Sequence, residues 1–181
     1  MKITGGFLRS RSIDSPTGDN VRPTLSQVRE SIFSSLFSLI DFEGKTFLDV
    51  FAGSGIIGFE AISRGFASTC FLEKDKKTFL LLKKNASKLA LSDDQVSFYI
   101  GDSTKVLKNF ERTFDVIYVD PPYQSGLYEK VLAVIFEKHL LSNDGILVLE
   151  HPKNLEIDFE KYNLIKQKTY ADKTITFLSF L

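Results

Sequence analysis

Residues 47–58 have the sequence FLDVFAGSGIIG, which combines a short apolar run, a glycine-rich turn and the start of a helical pattern. The run is apolar apart from Asp49, as expected of a strand buried on both faces. Gly53, Gly55 and Gly58 match the GxGxxG pattern that links such a strand to a helix. A strand, a glycine turn and a helix in this order predict the first unit of a parallel α/β sheet.

The rest of the chain repeats this alternation of short apolar runs and helical patterns. The predicted strands are 47–50, 69–72, 96–100, 116–119 and 146–149. The predicted helices between them are 56–64, 76–90, 104–110 and 128–140. Residues 162–170 and 174–181 have no helix between them, which predicts an antiparallel hairpin. The predicted α/β fold therefore resembles the Rossmann-like class I methyltransferase sheet, with seven mostly parallel strands and a C-terminal antiparallel hairpin.

The first two dozen residues differ from this pattern, because glycines and prolines divide them into short stretches, as in a hairpin or a pinned loop. At Thr24 the pattern changes. Thr24 and Gln27 form a capping box, and apolar residues recur at helical spacing until a helix end before Gly44. We therefore predict an N-terminal basic hairpin or arm, 1–23, and a main domain, 24–181.

Composition and charge are those of one compact domain. The chain has 181 residues, of which 43% are hydrophobic and 25% charged. Its net charge is zero, but Lys2, Arg9 and Arg11 precede the first acidic residue, Asp14, which is compatible with a local contact to nucleic acid. No apolar stretch has the length of a membrane span, so we expect a cytoplasmic protein without a membrane partner. Cys70 is predicted to be a buried strand thiol.

Acidic residues follow three of the predicted strands. Asp49 ends the first strand, Glu73 ends the second, and Asp102 follows the third. Because open α/β sheets bind ligands at the carboxyl ends of their strands, we expect these side chains in one site. Glu73 is typical of an acid that accepts hydrogen bonds from ribose hydroxyls. Asp102 is a candidate acceptor for an adenine amino group or, alternatively, the N-cap of the following helix.

The charge of Asp49 distinguishes between two classes of cofactor. The glycine turn alone is consistent with a nucleotide-type ligand or with a purely structural turn. A carboxylate four residues before Gly53 would repel the pyrophosphate of NAD, whereas it would attract the ammonium and sulfonium groups of S-adenosylmethionine. The sequence therefore favours S-adenosylmethionine, with S-adenosylhomocysteine as product, and it indicates no metal.

Residues 120–123, Asp-Pro-Pro-Tyr, form the most specific motif, after the fourth strand. The two prolines remove backbone donors and stiffen the turn, which is expected to leave the Pro121 carbonyl pointing outward. Asp120 and that carbonyl would each accept one N–H of an exocyclic amine and orient its lone pair towards the methyl donor. Tyr123 would stack on the base. The motif predicts an amino methyltransferase, and the alternative is a structural proline turn.

Three segments together resemble the bacterial 16S rRNA guanine-N2 methyltransferases of the RsmD family. They are RPTLSQVRESIF at 22–33, residues 48–65, and the motif at 120–123, in the family's order. The resemblance implies methylation of a guanine 2-amino group in small-subunit ribosomal RNA. Because the N-terminal arm is sparsely basic, we expect the RNA to be bound within a ribonucleoprotein particle, and we expect a monomer. The implied cofactor contacts are Asp49, Phe51, Ala52, Gly53, Gly55, Glu73, Lys74, Asp102 and Ser103. The implied RNA contacts are Lys2, Arg9, Arg11 and Arg22.

Three alternatives remain open from the residues alone. The proline turn would serve any planar amine, including adenine N6 in nucleic acid or a glutamine in a protein. The glycine turn would also serve a nicotinamide-dependent oxidoreductase, and the chain could be a silent RNA-binding module. No serine, histidine and acid series or CxxC spacing is present, which disfavours nucleophilic and metal-assisted hydrolysis. His139 and His151 are predicted to be surface or capping residues.

Overall fold

The computed structural model describes residues 1–16, 26–122 and 126–181. The helices in these ranges are α1 Ser26–Phe37, α2 Ile56–Ser63, α3 Lys76–Lys88, α4 Ser103–Lys108 and α5 Tyr128–Glu137. The strands are β1 Thr46–Asp49, β2 Ser68–Glu73, β3 Val96–Ile100, β4 Phe114–Val119, β5 Leu141–Pro152, β6 Asn163–Thr169 and β7 Lys173–Ser179. Every predicted helix and strand is confirmed as an element, although several bounds differ. Thr24, the predicted capping residue of α1, lies outside the described residues.

The seven strands form one sheet in the order β3-β2-β1-β4-β5-β7-β6. Strands β1 to β5 are parallel, and β7 lies antiparallel between β5 and β6. The predicted fold class is therefore confirmed. The strand order reverses between β1 and β4, and ligands of open α/β sheets bind beyond the carboxyl ends of the strands at such a point.

Strand β5 is much longer than the predicted run 146–149. It starts at Leu141, which pairs with Phe114, and it continues through Glu150 and His151 because β7 pairs with these residues. Five polar side chains of the strand lie outside the apolar run on which the prediction rested: Ser142, Asn143, Asp144, Glu150 and His151. The extension therefore depends on a partner strand that is distant in sequence.

Alternate residues of each central strand pack into two separate cores. On one face, Phe47 and Tyr118 belong to the core that includes side chains of α1, α2 and α3. On the other face, Leu48 and Ile117 pack with side chains of α4 and α5. Burial on both faces explains why these strands have nearly continuous apolar sequences. Cys70 is buried, as predicted. No helix in the described ranges combines the length and hydropathy needed to cross a bilayer.

The N-terminal residues fold back on themselves and against the domain. Lys2 forms an antiparallel bridge with Ser12, and the side chains of Ile3, Leu8 and Ile13 are buried in the core beside α1 and α2. The structure describes residues 1–16 of the predicted arm, and we refer to these as the N-terminal hairpin. The division of the chain between residues 23 and 24 stays a prediction.

Glu60, in the middle of α2, bonds the N-terminal hairpin to the helices. Its side chain is fully buried and accepts hydrogen bonds from the Thr4 N–H at 2.7 Å and the Thr4 hydroxyl at 2.8 Å. The same carboxylate pairs with Arg29 of α1 at 3.3 Å and with Arg64 at 3.1 Å. Ser63, at the end of α2, accepts a further bond from the hairpin backbone through its hydroxyl. The hairpin is therefore fixed by hydrogen bonds as well as by packing.

Candidate active site

The carboxyl ends of all five parallel strands carry an acidic residue. In the order of the strands across the sheet, these are Asp102, Glu73, Asp49, Asp120 and Glu150. Four of them were predicted from the sequence to lie at this edge, and the strand order brings them side by side. Glu150 was not predicted, because it lies within β5 rather than after it.

The three glycines of the turn before α2 have different structural roles. Gly53 and Gly55 adopt left-handed backbone conformations, with φ of 55° and 85°. A Cβ on Gly55 or Gly58 would lie 2.4 Å or 2.2 Å from a core side chain, so these positions require glycine for packing. A Cβ on Gly53 would meet nothing within 4 Å. The Gly53 N–H donates to the Glu73 carboxylate at 2.9 Å, so the open space lies beside an acidic group.

Asp49 is 1% exposed, and one of its oxygens lacks a partner. Oδ2 accepts a hydrogen bond from the Gly58 N–H at 3.3 Å, whereas the buried Oδ1 receives none from the described residues. The pKa of Asp49 is raised to about 7, mainly by burial and also by the charge of Glu73, while the bond from Gly58 opposes the shift. A buried carboxylate with an unused oxygen is stabilised by a proton or by a cationic ligand.

Asp102 is the N-cap of α4, which was one of its two predicted roles. Its carboxylate accepts hydrogen bonds from the Thr104 hydroxyl at 2.6 Å and the Lys105 N–H at 3.4 Å. The bond from Thr104 lowers the pKa of Asp102 despite partial burial, with a smaller contribution from the Lys74 ammonium, 3.7 Å away. Ser103 is buried at the start of α4. The contact of Asp102 with an adenine stays a prediction.

Phe51 and Ala52 lead from β1 into the glycine turn. Phe51 is partly exposed, whereas Ala52 is buried and its N–H donates to the Leu72 carbonyl at 2.9 Å. This bond ties the start of the turn to β2. Of the two residues, Phe51 therefore has the more accessible side chain.

Asp120 directly follows β4 and is partly exposed at the strand edge. Burial of its surroundings raises the pKa of Asp120 well above the ordinary value for an aspartate, and the charges of Glu150 and Asp49 raise it further. The Lys173 ammonium opposes this shift. No hydrogen bond from the described residues contributes to the pKa of Asp120. Because the side chain is partly exposed, its oxygens are accessible to hydrogen-bond donors of a ligand.

The first proline of the motif is more enclosed than predicted. Pro121 is buried, and its carbonyl accepts a long hydrogen bond, 3.4 Å, from the Tyr128 hydroxyl. A carbonyl oxygen has two lone pairs, so one remains for a ligand. Pro122 is exposed. Tyr123 lies outside the described residues, and its stacking role stays a prediction.

Three buried polar side chains lie next to Asp120, and the sequence analysis missed them. Glu150 is 1% exposed, accepts a hydrogen bond from the Tyr118 hydroxyl at 2.7 Å and forms an ion pair with Lys173 of β7. Burial raises the pKa of Tyr118, and the nearby carboxylates add to this effect. The available sequence signal was a glutamate next to an apolar strand run, in Leu149-Glu150-His151.

The described residues of the predicted RNA contact are exposed on the N-terminal hairpin. Lys2, Arg9 and Arg11 have exposed side chains, and the Arg11 guanidinium donates to the Lys88 carbonyl at 3.0 Å. The hairpin turn that precedes Arg9 is bonded to the C-terminal end of α2, about 12 Å along this helix from the glycine turn. Arg22 lies outside the described residues.

Elsewhere in the described residues, the features to compare with this site are a cavity, the buried His151 and possible clusters of metal ligands. A cavity of about 460 Å³ is lined by Tyr99, Phe110 and Arg112 among others, and none of the predicted site residues borders it. His151 is 3% exposed and bonded to Thr176 at 2.9 Å, so its prediction as a surface or capping residue was wrong. It is buried because β5 extends past residue 149. The described ranges contain no cluster of three or more potential metal ligands.

Comparisons with known proteins agree with the geometry. The family model described as Conserved hypothetical protein 95 matches residues 1–179. Ribosomal RNA small subunit methyltransferase D of Buchnera aphidicola is 36% identical over 92% of this chain and 86% of its own length. The enzyme of that name in Haemophilus influenzae is 34% identical, over 93% and 88%.

A solved structure from Escherichia coli, provisionally described as the methyltransferase yhhF, has the same fold. It superimposes with a TM-score of 0.87 and 26% identity, over 99% of this chain and 97% of its own. The family model and this structure both cover the N-terminal hairpin, the glycine turn and the proline motif. This chain is therefore a methyltransferase of class I fold, and it belongs to the Conserved hypothetical protein 95 family, which is the RsmD family.

Proposed function

We propose that this protein transfers a methyl group from S-adenosylmethionine to the exocyclic N2 amino group of a guanine in small-subunit (16S) ribosomal RNA. The observation that carries the proposal is the Asp120 carboxylate, which lies one strand away from the glycine turn and has oxygens able to accept N–H groups. Relatives named ribosomal RNA small subunit methyltransferase D support ribosomal RNA as the substrate. The choice of guanine follows from the resemblance of the whole chain to the RsmD family.

The residues around the glycine turn fit a cationic cofactor. The unpartnered oxygen of Asp49 would accept a bond from an ammonium group, and the open space beside Gly53 leaves room for a ligand next to Glu73. When bound, S-adenosylmethionine supplies a methyl group on a positively charged sulfur. A pyrophosphate in the same place would meet two carboxylates, which disfavours a nicotinamide cofactor. Phe51, Lys74, Asp102 and Ser103 complete the proposed cofactor contacts.

The chain's own groups act mainly by placing the acceptor amine. The lone pair of an exocyclic amine is delocalised into the base, so the amine is a weak nucleophile. Asp120 accepts one N–H and the second lone pair of the Pro121 carbonyl accepts the other, which holds the nitrogen in a fixed orientation. Asp120 then receives the proton that the nitrogen loses, or passes it to water. Tyr123 provides the stacking face for the base.

The N-terminal hairpin is the proposed RNA contact outside the cleft. Lys2, Arg9, Arg11 and Arg22 would bind phosphates and set the orientation of the RNA rather than the choice of base. Because few basic residues are involved, a ribonucleoprotein particle is the proposed substrate rather than naked RNA. We propose that a single chain acts on this particle in the cytoplasm.

Methyl transfer from labelled cofactor tests the proposal directly. The full chain is incubated with labelled S-adenosylmethionine and, separately, with small-subunit particles from a strain that lacks this protein, with DNA and with a protein pool. We expect label in the ribosomal RNA of the particles, recovered as N2-methylguanosine after digestion. Label found only in DNA or protein would contradict the proposed acceptor.

Asp120→Ala distinguishes an enzyme from a silent RNA-binding module. We expect turnover to fall by at least about 100-fold, because the amine loses its acceptor, while the affinity for S-adenosylhomocysteine remains within about twofold. Calorimetry measures the affinity, and the same experiment with NADH tests the oxidoreductase alternative. Unchanged turnover in the variant would remove Asp120 from the mechanism, and preferential NADH binding would overturn the cofactor assignment.

A further inference from the structure

A group of polar side chains crosses the sheet behind Asp120. Tyr118 of β4, Glu150 of β5 and Lys173 of β7 share one face, as the alternation of their strands requires. Three adjacent strands of the sheet therefore contribute to one buried group. None of these three residues follows a strand end in the way that drew attention to the predicted acids.

The three side chains are almost completely enclosed. Glu150 is 1% exposed and Lys173 is 7% exposed, and their ion pair is supplemented by the bond from the Tyr118 hydroxyl at 2.7 Å. Removing two charges from water costs about as much as their attraction returns, so a buried ion pair is a poor stabiliser compared with apolar side chains of similar volume. Its position in the core therefore calls for a functional explanation.

The charges of this group act on the Asp120 carboxylate. Among the described residues, the charged groups that influence Asp120 are Asp49 from β1, Glu150 from β5 and Lys173 from β7. The neutral Tyr118 occupies the β4 position two residues before it. Two of the three charges are negative and oppose ionisation of Asp120, so Lys173 is the favourable one. Its ammonium is fixed by Glu150, on the strand next to the one that ends at Asp120.

We propose that Lys173 and Glu150 are positioning residues for methyl transfer that act on the Asp120 carboxylate with opposite charges, Lys173 favouring its ionised form and Glu150 opposing that form while it holds the Lys173 ammonium in place. This inference rests on the proposed function, because it concerns the group that receives the amine N–H. An ionised Asp120 accepts hydrogen bonds through both oxygens, whereas a protonated one would place its own hydrogen in the cleft. Lys173 thereby favours the form that binds the amine and takes up its proton.

Carboxyl titration in the full chain tests this coupling without depending on activity. Aspartate and glutamate labelled with ¹³C in the carboxyl group are followed by NMR against pH, and Asp120→Asn identifies the Asp120 signal. In Glu150→Gln, we expect the pKa of Asp120 to fall by about 1 unit, because a repelling charge is removed. Adding Lys173→Met to this variant should raise it again by about 1 unit, because the attracting charge is now removed without leaving Glu150 unpaired.

The pH dependence of methyl transfer provides the second measurement. The acidic limb of kcat/KM on small-subunit particles should move in the same directions as the Asp120 titration, and Lys173→Arg should keep the wild-type limb because it keeps the charge. Thermal unfolding and amide spectra check that each variant is folded. Should Lys173→Met prevent folding, Glu150→Gln still tests the expected fall in the pKa of Asp120, and Lys173→Arg still tests whether a positive charge at this position is sufficient.

The possible outcomes separate this inference from the proposed function. The inference would be overturned if the pKa of Asp120 were the same in wild type, in Glu150→Gln and in the double variant. It would also be overturned if the second substitution shifted this pKa in the same direction as the first. Suppose that the wild-type chain methylates particles and that the acidic limb of kcat/KM lies at the same pH in the variants as in wild type. This result would also overturn the inference, but it would leave the proposed function intact. A wild-type chain inactive on particles would contradict the proposed function, whatever the titration shows.

Discussion

Asp49 is a buried carboxylate whose proposed role is to bind the ammonium group of the cofactor. Its burial raises its pKa to about 7, and its Oδ1 has no partner among the described residues. Near neutral pH the side chain is therefore close to half protonated without a ligand. A ligand ammonium at the glycine turn would favour the ionised form, so ligand binding and ionisation of Asp49 should be coupled.

The affinity for S-adenosylhomocysteine should consequently depend on pH. Because the pKa of Asp49 is raised, its carboxylate is present above about pH 7 and is lost as the pH falls. We expect binding to weaken by up to about tenfold per pH unit below 7, as one proton must leave for each ligand bound. Calorimetry between pH 5.5 and 8.5 measures this, with Asp49→Asn as the control, for which binding should be weaker and less dependent on pH. Wild-type affinity that is constant over this range would contradict the coupling.

Alanine substitutions should separate the roles of the glycines. In Gly58→Ala the new Cβ would lie 2.2 Å from the Phe71 ring, so we expect a clear loss of thermal stability. Gly53→Ala has open space around it and should cost only about 1 to 2 kcal/mol for its left-handed backbone. It should nevertheless weaken S-adenosylhomocysteine binding by tenfold or more. If Gly53→Ala bound S-adenosylhomocysteine as tightly as wild type does, Gly53 would have no ligand role.

The two ends of helix α2 contact different parts of the protein. Its N-terminus follows the glycine turn and faces the acidic edge, whereas Glu60 and Ser63 bond the N-terminal hairpin. The RsmD-like segment at residues 60–65 therefore has a structural explanation in this chain. Arg29 of α1, in the other RsmD-like segment, contacts the same glutamate.

Glu60→Gln should release the hairpin and destabilise the whole domain. The change removes the Glu60 charge from its ion pairs with the buried Arg29 and with Arg64, and breaking a buried pair typically costs about 3 to 5 kcal/mol. Chemical unfolding measures the loss, and hydrogen exchange should show reduced protection of residues 1–16. Glu111→Gln, an exposed glutamate, is the matched control and should have little effect. A Glu60 variant as stable as this control would remove Glu60 from its proposed structural role.

The whole molecule is electrically neutral, so its contact with RNA must depend on where the charges lie. The N-terminal hairpin presents Lys2, Arg9 and Arg11 at the surface on a backbone that is fixed to α2. Fixed positive charges lose little conformational freedom when they bind phosphates. The turn before Arg9 lies at the far end of α2 from the glycine turn, whereas Asn85 bonds both Asp14 of the hairpin and Ser54 of the glycine turn. The hairpin therefore extends along the domain, which suits an extended contact with a particle rather than a contact confined to one nucleotide.

Arg9→Gln should weaken binding to small-subunit RNA and reduce its salt dependence. Each lost phosphate contact lowers the slope of log K against log salt by about 0.7 to 0.9. Filter binding at several salt concentrations measures the slope. Lys108→Gln, an exposed lysine on α4 at the opposite face of the sheet, is the control and should leave it unchanged. If the slope for Arg9→Gln equals that of the control, Arg9 makes no phosphate contact.

Local patterns in the chain were sufficient to predict the order of the elements, the glycine turn and four of the five acidic residues. Strand periodicity, helix spacing and proline turns are properties of neighbouring residues, so they are visible in one sequence. The separate tasks of Gly53 and Gly58, the bonding of the hairpin by Glu60 and the pairing of Glu150 with Lys173 arose only in the folded molecule. These features join residues from different elements, and their contacts are created by packing, which no local pattern records.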